Sequence, residues 1–281
     1  MTQDDVPAAY RAGSIALTES AEEAERARNR SAEEVARREA RYRHALEHDP
    51  GGAWVAVDGD RVAGAALALV REGVWILSLL AVDEAYRNAG VGRDLLDHAL
   101  RYAAGCEGAM IAASTHPAAL RRYALAGFTL LPTLMASGTI RREALPADPS
   151  VRDGEKQDLE LATEVDRKLR GAAHGPDLEL MLRAGARLFV AEGPAGRGYA
   201  VEYEGHPAIV AATAPEVAGD LLWACLAECT GETEVRWLTG SQDWAVRVAL
   251  DAGLSLSPQG PVCVRGELGP LTPYLPSGAF L

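Results

Sequence analysis

Hydrophobic and polar positions along the chain change period in a fixed order. Three short apolar runs, AWVAV (residues 53–57), VAGAALALV (62–70) and VWILSLLAV (74–82), are separated by the turn-forming stretches DGDR and REG, and they read as an antiparallel meander. From Gly92 the spacing turns helical. Leu95, Leu96, Ala99, Leu100 and Ala103 form one stripe, Arg93, Asp94, Asp97 and Arg101 lie off it, and Gly105 is a stop. AMIAAS (109–114) is a further buried strand. A helix follows in HPAALRRYALAGF, with Pro117 in its first turn and Gly127 closing it, and TLLPTLMASGTI (129–140) supplies more strand. Upstream, SAEE occurs at Ser20 and at Ser31, each placing a Ser three residues before a Glu as in a capping box. The polar stretch after Ser31 is predicted helical as far as His48, where Asp49, Pro50, Gly51 and Gly52 end it.

The pattern repeats. Shifting the second half by 126 positions lays Gly127 on Gly253 without a gap, and puts Leu95, Leu96, Ala99 and Leu100 on Leu221, Leu222, Cys225 and Leu226. Pro132 meets Pro258 under the same shift. The expectation is an α/β (α+β) chain of two tandem domains, each a mixed, mostly antiparallel sheet flanked by helices. They would span residues 1–143 and 151–281, joined by a linker at 144–150 that contains Pro146 and Pro149. The closing PYLPSGAFL is too apolar for a free tail and is expected to dock on a surface.

Composition narrows the chemistry. A length of 281 residues with 48% hydrophobic and 24% charged positions suits a folded chain with two cores. A formal charge of −12 repels nucleic acid and favours cationic partners, amines among them. No apolar run approaches the ~18 residues of a membrane span, and the start lacks the regions of a signal peptide, so the expectation is a cytoplasmic protein without a membrane partner. Cys106, Cys225, Cys229 and Cys263 show no metal-ligand spacing, and no metal is expected; Cys225 and Cys229 read as part of a buried helical stripe.

The candidate chemistry sits where meander meets helix. Gly90 and Gly92 precede a helix, whose first unpaired N–H groups and positive dipole end suit phosphate oxygens at close approach. A P-loop would need Lys and Ser or Thr after its last Gly, and a dinucleotide fingerprint would need a third Gly where Leu95 stands. What remains, Arg87-Asn88-Ala89-Gly90-Val91-Gly92 followed by Arg93, resembles the R/Q-x-x-G-x-G/A signature of the Gcn5-related N-acetyltransferase (GNAT) family. The resemblance covers residue 53 to about residue 140 well and the remainder in outline. It implies two GNAT-like domains and acetyl-CoA as cosubstrate, with the coenzyme's pyrophosphate on the Arg87–Arg93 amides and its pantetheine arm along Leu80, Ala81 and Val82.

The helix HPAALRRYALAGF is similar to the family's N-x-x-A-x-x-x-Y-x-x-x-G-F, and this implies that Tyr123 protonates the departing thiolate. His116 stands where the family has Asn; it caps the helix or takes the amine's proton. The strand VWILSLLAV offers only Ser78 where many relatives carry a Glu as base, so the base stays open. In the second copy, the shift turns Arg87, Gly90, Gly92 and Tyr123 into Thr213, Glu216, Ala218 and Ala249, and no coenzyme binding is expected there. The implied activity is N-acetylation of a small-molecule or peptide amine by direct attack in the amino-terminal domain. The alternatives are a non-catalytic acyl-CoA-binding sensor or scaffold and a mycothiol-synthase-like acetyltransferase. Oligomeric state is not legible.

Overall fold

Ser31 opens a helix in the way its spacing to Glu34 requires: its hydroxyl accepts from the Glu34 amide at 3.2 Å, and the Glu34 carboxylate accepts from the Ser31 amide at 2.7 Å. The computed structural model describes residues 1–18, 21–147 and 150–281. The box expected at Ser20 and the linker's Pro149 lie outside those residues. Two compact units result, one of residues 1–70 and 75–106, the other of residues 71–74 and 107–281.

The first unit carries α1 (Val6–Ala16), α2 (Ala21–Arg28), α3 (Ala32–His48), the meander β1 (Ala53–Asp58), β2 (Arg61–Arg71) and β3 (Val74–Val82), and α4 (Val91–Arg101). The helix α1 is an addition to the sequence reading, yet its buried positions Val6, Ala9, Tyr10 and Gly13 follow a helical stripe. β1 runs antiparallel to β2 from Ala53↔Leu67 to Asp58↔Arg61. Asp49, fully buried where α3 stops, accepts from the Val70 amide at 2.9 Å and the Tyr102 hydroxyl at 3.1 Å. Trp75 on β3 donates its indole N–H to the Ala99 carbonyl of α4 at 3.0 Å, which fixes the helix on the strand it follows.

The second unit continues with β4 (Gly108–Ala112), α5 (Pro117–Leu125), β5 (Thr129–Thr139), β6 (Arg152–Asp153), α6 (Leu159–Leu169), α7 (Pro176–Arg183), β7 (Arg187–Gly193), β8 (Gly196–Tyr203), β9 (His206–Ala212), α8 (Pro215–Glu228), β10 (Glu232–Thr239), α9 (Asp243–Asp251), β11 (Ser255–Gly266) and β12 (Tyr274–Leu275). Its strands follow the orders β4-β11-β5-β10 and β12-β9-β8-β7-β6. Cys225 and Cys229 are buried beside α8's apolar residues, as their spacing suggested.

The repeat is visible in the elements. Moved by 126 positions, α5 coincides with α9, and β5 falls on the first eleven residues of β11. These equivalent strands are antiparallel neighbours, with Leu256 opposite Ala136 and Pro258 opposite Leu134. β11 lies between β4 and β5, and β5 lies between β11 and β10, so each copy's strand is inserted beside the other's. The compact units therefore differ from the division 1–143, 144–150 and 151–281. Upstream of the helices the repeat needs a gap. Residues 83–90 separate β3 from α4, whereas residues 213–214 alone separate β9 from α8, so Arg87 has no counterpart and Glu216 lies inside α8.

A buried ion pair marks the turn 71–74. Arg71, 7% exposed, is bidentate to the fully buried Asp177 at 2.8 and 2.6 Å. Beside it, Glu72 takes Arg167 at 2.6 Å and the Ala173 amide at 3.0 Å, and these hydrogen bonds hold its carboxyl down at about 2. Removing one partner of a buried pair leaves a desolvated charge. Asp177→Ala is expected to cost about 3–5 kcal/mol in urea unfolding, while the exposed pair broken in Arg183→Ala costs less than about 1. Equal costs for the two would mean that Arg71 finds other solvation.

Candidate functional site

The turn between β3 and α4 is held from both ends. Asp83 accepts from the Ala85 amide at 2.9 Å and starts a short helical turn. The Tyr86 hydroxyl donates to Asp58 at 3.1 Å, and the Arg61 guanidinium lies 6.0 Å from the Tyr86 ring centroid, so the turn is tied to the β1–β2 hairpin. The backbone then bends through two left-handed residues, Asn88 (φ 64°) and Gly90 (φ 92°), before Val91 begins α4. Asn tolerates that region by its short polar side chain and Gly by having none.

The consequence is a row of open donors. Among the described residues, the amides of Asn88, Ala89, Gly90, Val91 and Gly92 have no hydrogen-bond acceptor, and the next two, of Arg93 and Asp94, return to the Gly90 carbonyl at 2.9 and 3.1 Å. Five successive N–H groups at a helix's positive end form an anion cradle. Residues 87–89 are exposed and Gly90, Val91 and Gly92 half-buried, so the donors reach solvent. Two cations flank them. Arg87 donates to the Ala16 carbonyl at 3.4 Å, and Arg93 bends over Gly90, its guanidinium 3.5 Å from where a Cβ would stand. A Cβ on Gly92 would come 3.3 Å from the Val82 Cγ2, so the strand end Leu80, Ala81 and Val82 and the glycine turn are in contact. The open donors and the two guanidinium groups fit a diphosphate.

Tyr123 and His116 belong to the second unit and are described there. Tyr123, on α5, is 5% exposed, and its hydroxyl has no hydrogen-bond partner among the described residues. Burial pushes the phenol above its ordinary range, so it carries its proton at any neutral pH. The nearby Cys263 thiol is pushed up to about 12, also by burial. Gly127, at φ 84°, closes α5, with the Phe128 amide returning to the Tyr123 carbonyl at 3.1 Å. His116 occupies the cap position of α5 without a side-chain cap bond, and it is exposed. On β3, Ser78 is buried with its hydroxyl unpartnered.

A cluster that sequence reasoning missed lies in the second copy. Asp166 accepts from the His174 ring at 2.7 Å, the His174 amide at 3.1 Å and the Tyr199 hydroxyl at 2.6 Å, all fully or almost fully buried. Its members are far apart in sequence and share no motif spacing, so only the fold reveals it. A cavity of about 310 Å³ also belongs to this copy, lined by Glu164, Lys168, Glu192, Arg197 and Thr213 among others, whereas the open amides are at 88–92. The mixed charges of the cavity, with Arg197 paired to Glu164 at 2.7 Å, do not match a diphosphate, and the backbone donors weigh more. Among the described residues, no group of His, Cys, Asp and Glu could hold a metal ion, and no helix is long and apolar enough to cross a membrane.

Comparison with known proteins bears on the fold. The acetyltransferase (GNAT) family model matches residues 16–128. A putative acetyltransferase from Pyrococcus horikoshii shares the fold with a TM-score of 0.80 at 18% identity, over 100% of this chain and 94% of that one. A tandem GNAT protein from the clavulanic acid biosynthesis pathway gives 0.58 at 15% identity, over 94% and 96%. A GCN5-related N-acetyltransferase from Sphaerobacter thermophilus gives 0.58 at 16% identity, over 95% and 94%. No curated protein matches the chain. The fold is thus a tandem GNAT fold, and residues 16–128 of the chain match the acetyltransferase (GNAT) family model.

Proposed function

We propose that the protein moves an acetyl group from acetyl-CoA to a primary amine of a small molecule or peptide, using the site of the first repeat. The observation that carries this is the row of five open amides at 88–92, which no second-copy turn reproduces: Thr213 uses its amide on the Arg197 carbonyl, and Pro215 has none. Arg87 and Arg93 add charge to the cradle, and the Leu80–Val82 backbone receives the amide arm.

The amine nitrogen adds to the thioester carbonyl carbon, the C–S bond breaks as the nitrogen gives its remaining surplus proton to water, and the sulfur leaves with a proton from the Tyr123 hydroxyl, which solvent restores. An alkylamine of pKa about 10.4 is mostly protonated at pH 7 and must first lose a proton. The His116 imidazole, exposed and unused by capping, takes it. Positioning supplies the remainder of the rate.

One observation favours a second reading, an acyl-CoA-binding sensor: β3 carries no acid or imidazole, and Ser78 is its polar residue. Release of free thiol from acetyl-CoA across a panel of primary amines separates the two. Amine-dependent release supports the transferase; calorimetric binding without release across the panel supports the sensor; neither binding nor release removes both.

A further inference from the structure

β9 is the second copy's counterpart of β3, and its terminal residues 210–212 correspond to Leu80, Ala81 and Val82. Their free edge is taken. Tyr274 pairs with Ala211 and Leu275 with Val210 as the strand β12, and the Ala212 amide donates to the Pro273 carbonyl at 3.3 Å. The segment is fixed along its length by side chains of the same unit. Gln242, buried after β10, donates to the Leu271 carbonyl at 2.7 Å and accepts from the Tyr274 amide at 3.3 Å. Gly278 lies against the Trp237 ring of β10, where a Cβ would come within 3.4 Å. Arg170, fully buried at the C-cap of α6, donates to the Phe280 carbonyl at 3.2 Å and to the Leu281 carbonyl. The Tyr274 hydroxyl reaches 3.5 Å from His174 Nε2, at the end of the Asp166–His174–Tyr199 cluster. Tyr274, Leu275, Phe280 and Leu281 are all buried, so this is core packing rather than surface docking.

We infer that residues 272–281 are a built-in ligand of the second repeat: the chain's own extended backbone occupies the β9 edge that, in the first repeat, receives the amide arm of the thioester. This rests on the proposed role of Leu80–Val82. It follows that the second repeat is closed twice, by a turn with no cradle and by a strand already in place, and that the protein holds one coenzyme per chain. Strand addition satisfies the backbone groups of an edge that would otherwise be open, and that gives the segment a reason to stay.

Hydrogen exchange and calorimetry on the full chain test it. With coenzyme A as probe, we expect one equivalent bound, new protection at 88–92, and protection at 210–212 and 274–275 that is high and unchanged. A second equivalent, or exchange at 274–275 speeded more than tenfold by coenzyme A, overturns the inference. A labelled peptide TPYLPSGAFL provides the second arm: Tyr274→Ala/Leu275→Ala is expected to bind it at least tenfold more tightly than the unsubstituted protein, and equal binding overturns the inference. Should coenzyme A bind nowhere, the acetyl-transfer proposal falls, while the peptide arm and the protection at 274–275 still decide whether the edge is occupied.

Discussion

Gly92→Glu is expected to weaken coenzyme A binding by at least 100-fold while leaving the melting temperature equal to that of the unsubstituted protein or a few degrees above it. Gly92 sits in the first turn of α4 and has no positive φ, so a side chain there carries no backbone strain. The one steric demand is the 3.3 Å contact of its Cβ with Val82 Cγ2, which a few tenths of an ångström relieve. For the fold alone the change is favourable, because replacing a helical Gly gains up to about 1 kcal/mol and an acid in a first turn about 0.3–1. For the ligand it is the reverse. A carboxylate ~5 Å from a diphosphate charge repels it by about 3 kcal/mol at an effective dielectric constant near 20, and each 1.4 kcal/mol is tenfold in affinity. Gly90 is the poorer test, since at φ 92° any L side chain is strained and a loss of binding would mix with a loss of structure. Affinity within threefold of the unsubstituted protein would mean that the cradle is elsewhere.

The sequence was most legible where one local rule suffices. Alternating and helical periods located β1, β2, β3, α3, α4 and α5, and the capping box at Ser31 fixed the start of α3. The glycine turn was legible because positive φ and open amides demand a residue without a side chain, and such demands leave a mark in sequence. Shifting by 126 found the repeat from α4 onward because the equivalent helices and strands keep their register, α4 falling within α8, β4 within β10 and α5 on α9. Non-local pairing was not legible. Nothing in residues 255–266 says that they lie between 108–112 and 129–139, since strand order depends on what the whole chain buries. The gapless alignment likewise passed over the loss of the 83–90 turn, because the helical stripe that follows it, in α4 and α8, dominates the match. Asp166, His174, Tyr199 and Tyr274 left no signal, for buried polar networks are defined by distance and not by spacing. Arg71 and Asp177, 106 positions apart, illustrate the same limit.

Tyr123→Phe is expected to lower kcat by 100-fold or more, with the KM for acetyl-CoA and the unfolding free energy nearly unchanged. The substitution removes a single oxygen from a side chain 5% exposed. Among the described residues that oxygen bonds to nothing, so no protein hydrogen bond is lost and no partner is stranded. A structural role would therefore predict little change in anything, whereas an acid role predicts a selective loss in the step that breaks the C–S bond. General acid catalysis contributes about 10²–10⁴, and 100-fold corresponds to about 2.7 kcal/mol of barrier. Burial raises the phenol, which makes it a weaker acid but keeps it protonated through pH 9, so its deprotonation should leave no limb in the kcat profile below that pH. The sharper readout is the leaving group. A thioester whose thiol is a stronger acid needs no proton on departure, and with it the Phe variant should recover most of the lost rate. If kcat for the poor and the good leaving group fall alike, Tyr123 does not supply the proton, and its burial is packing alone.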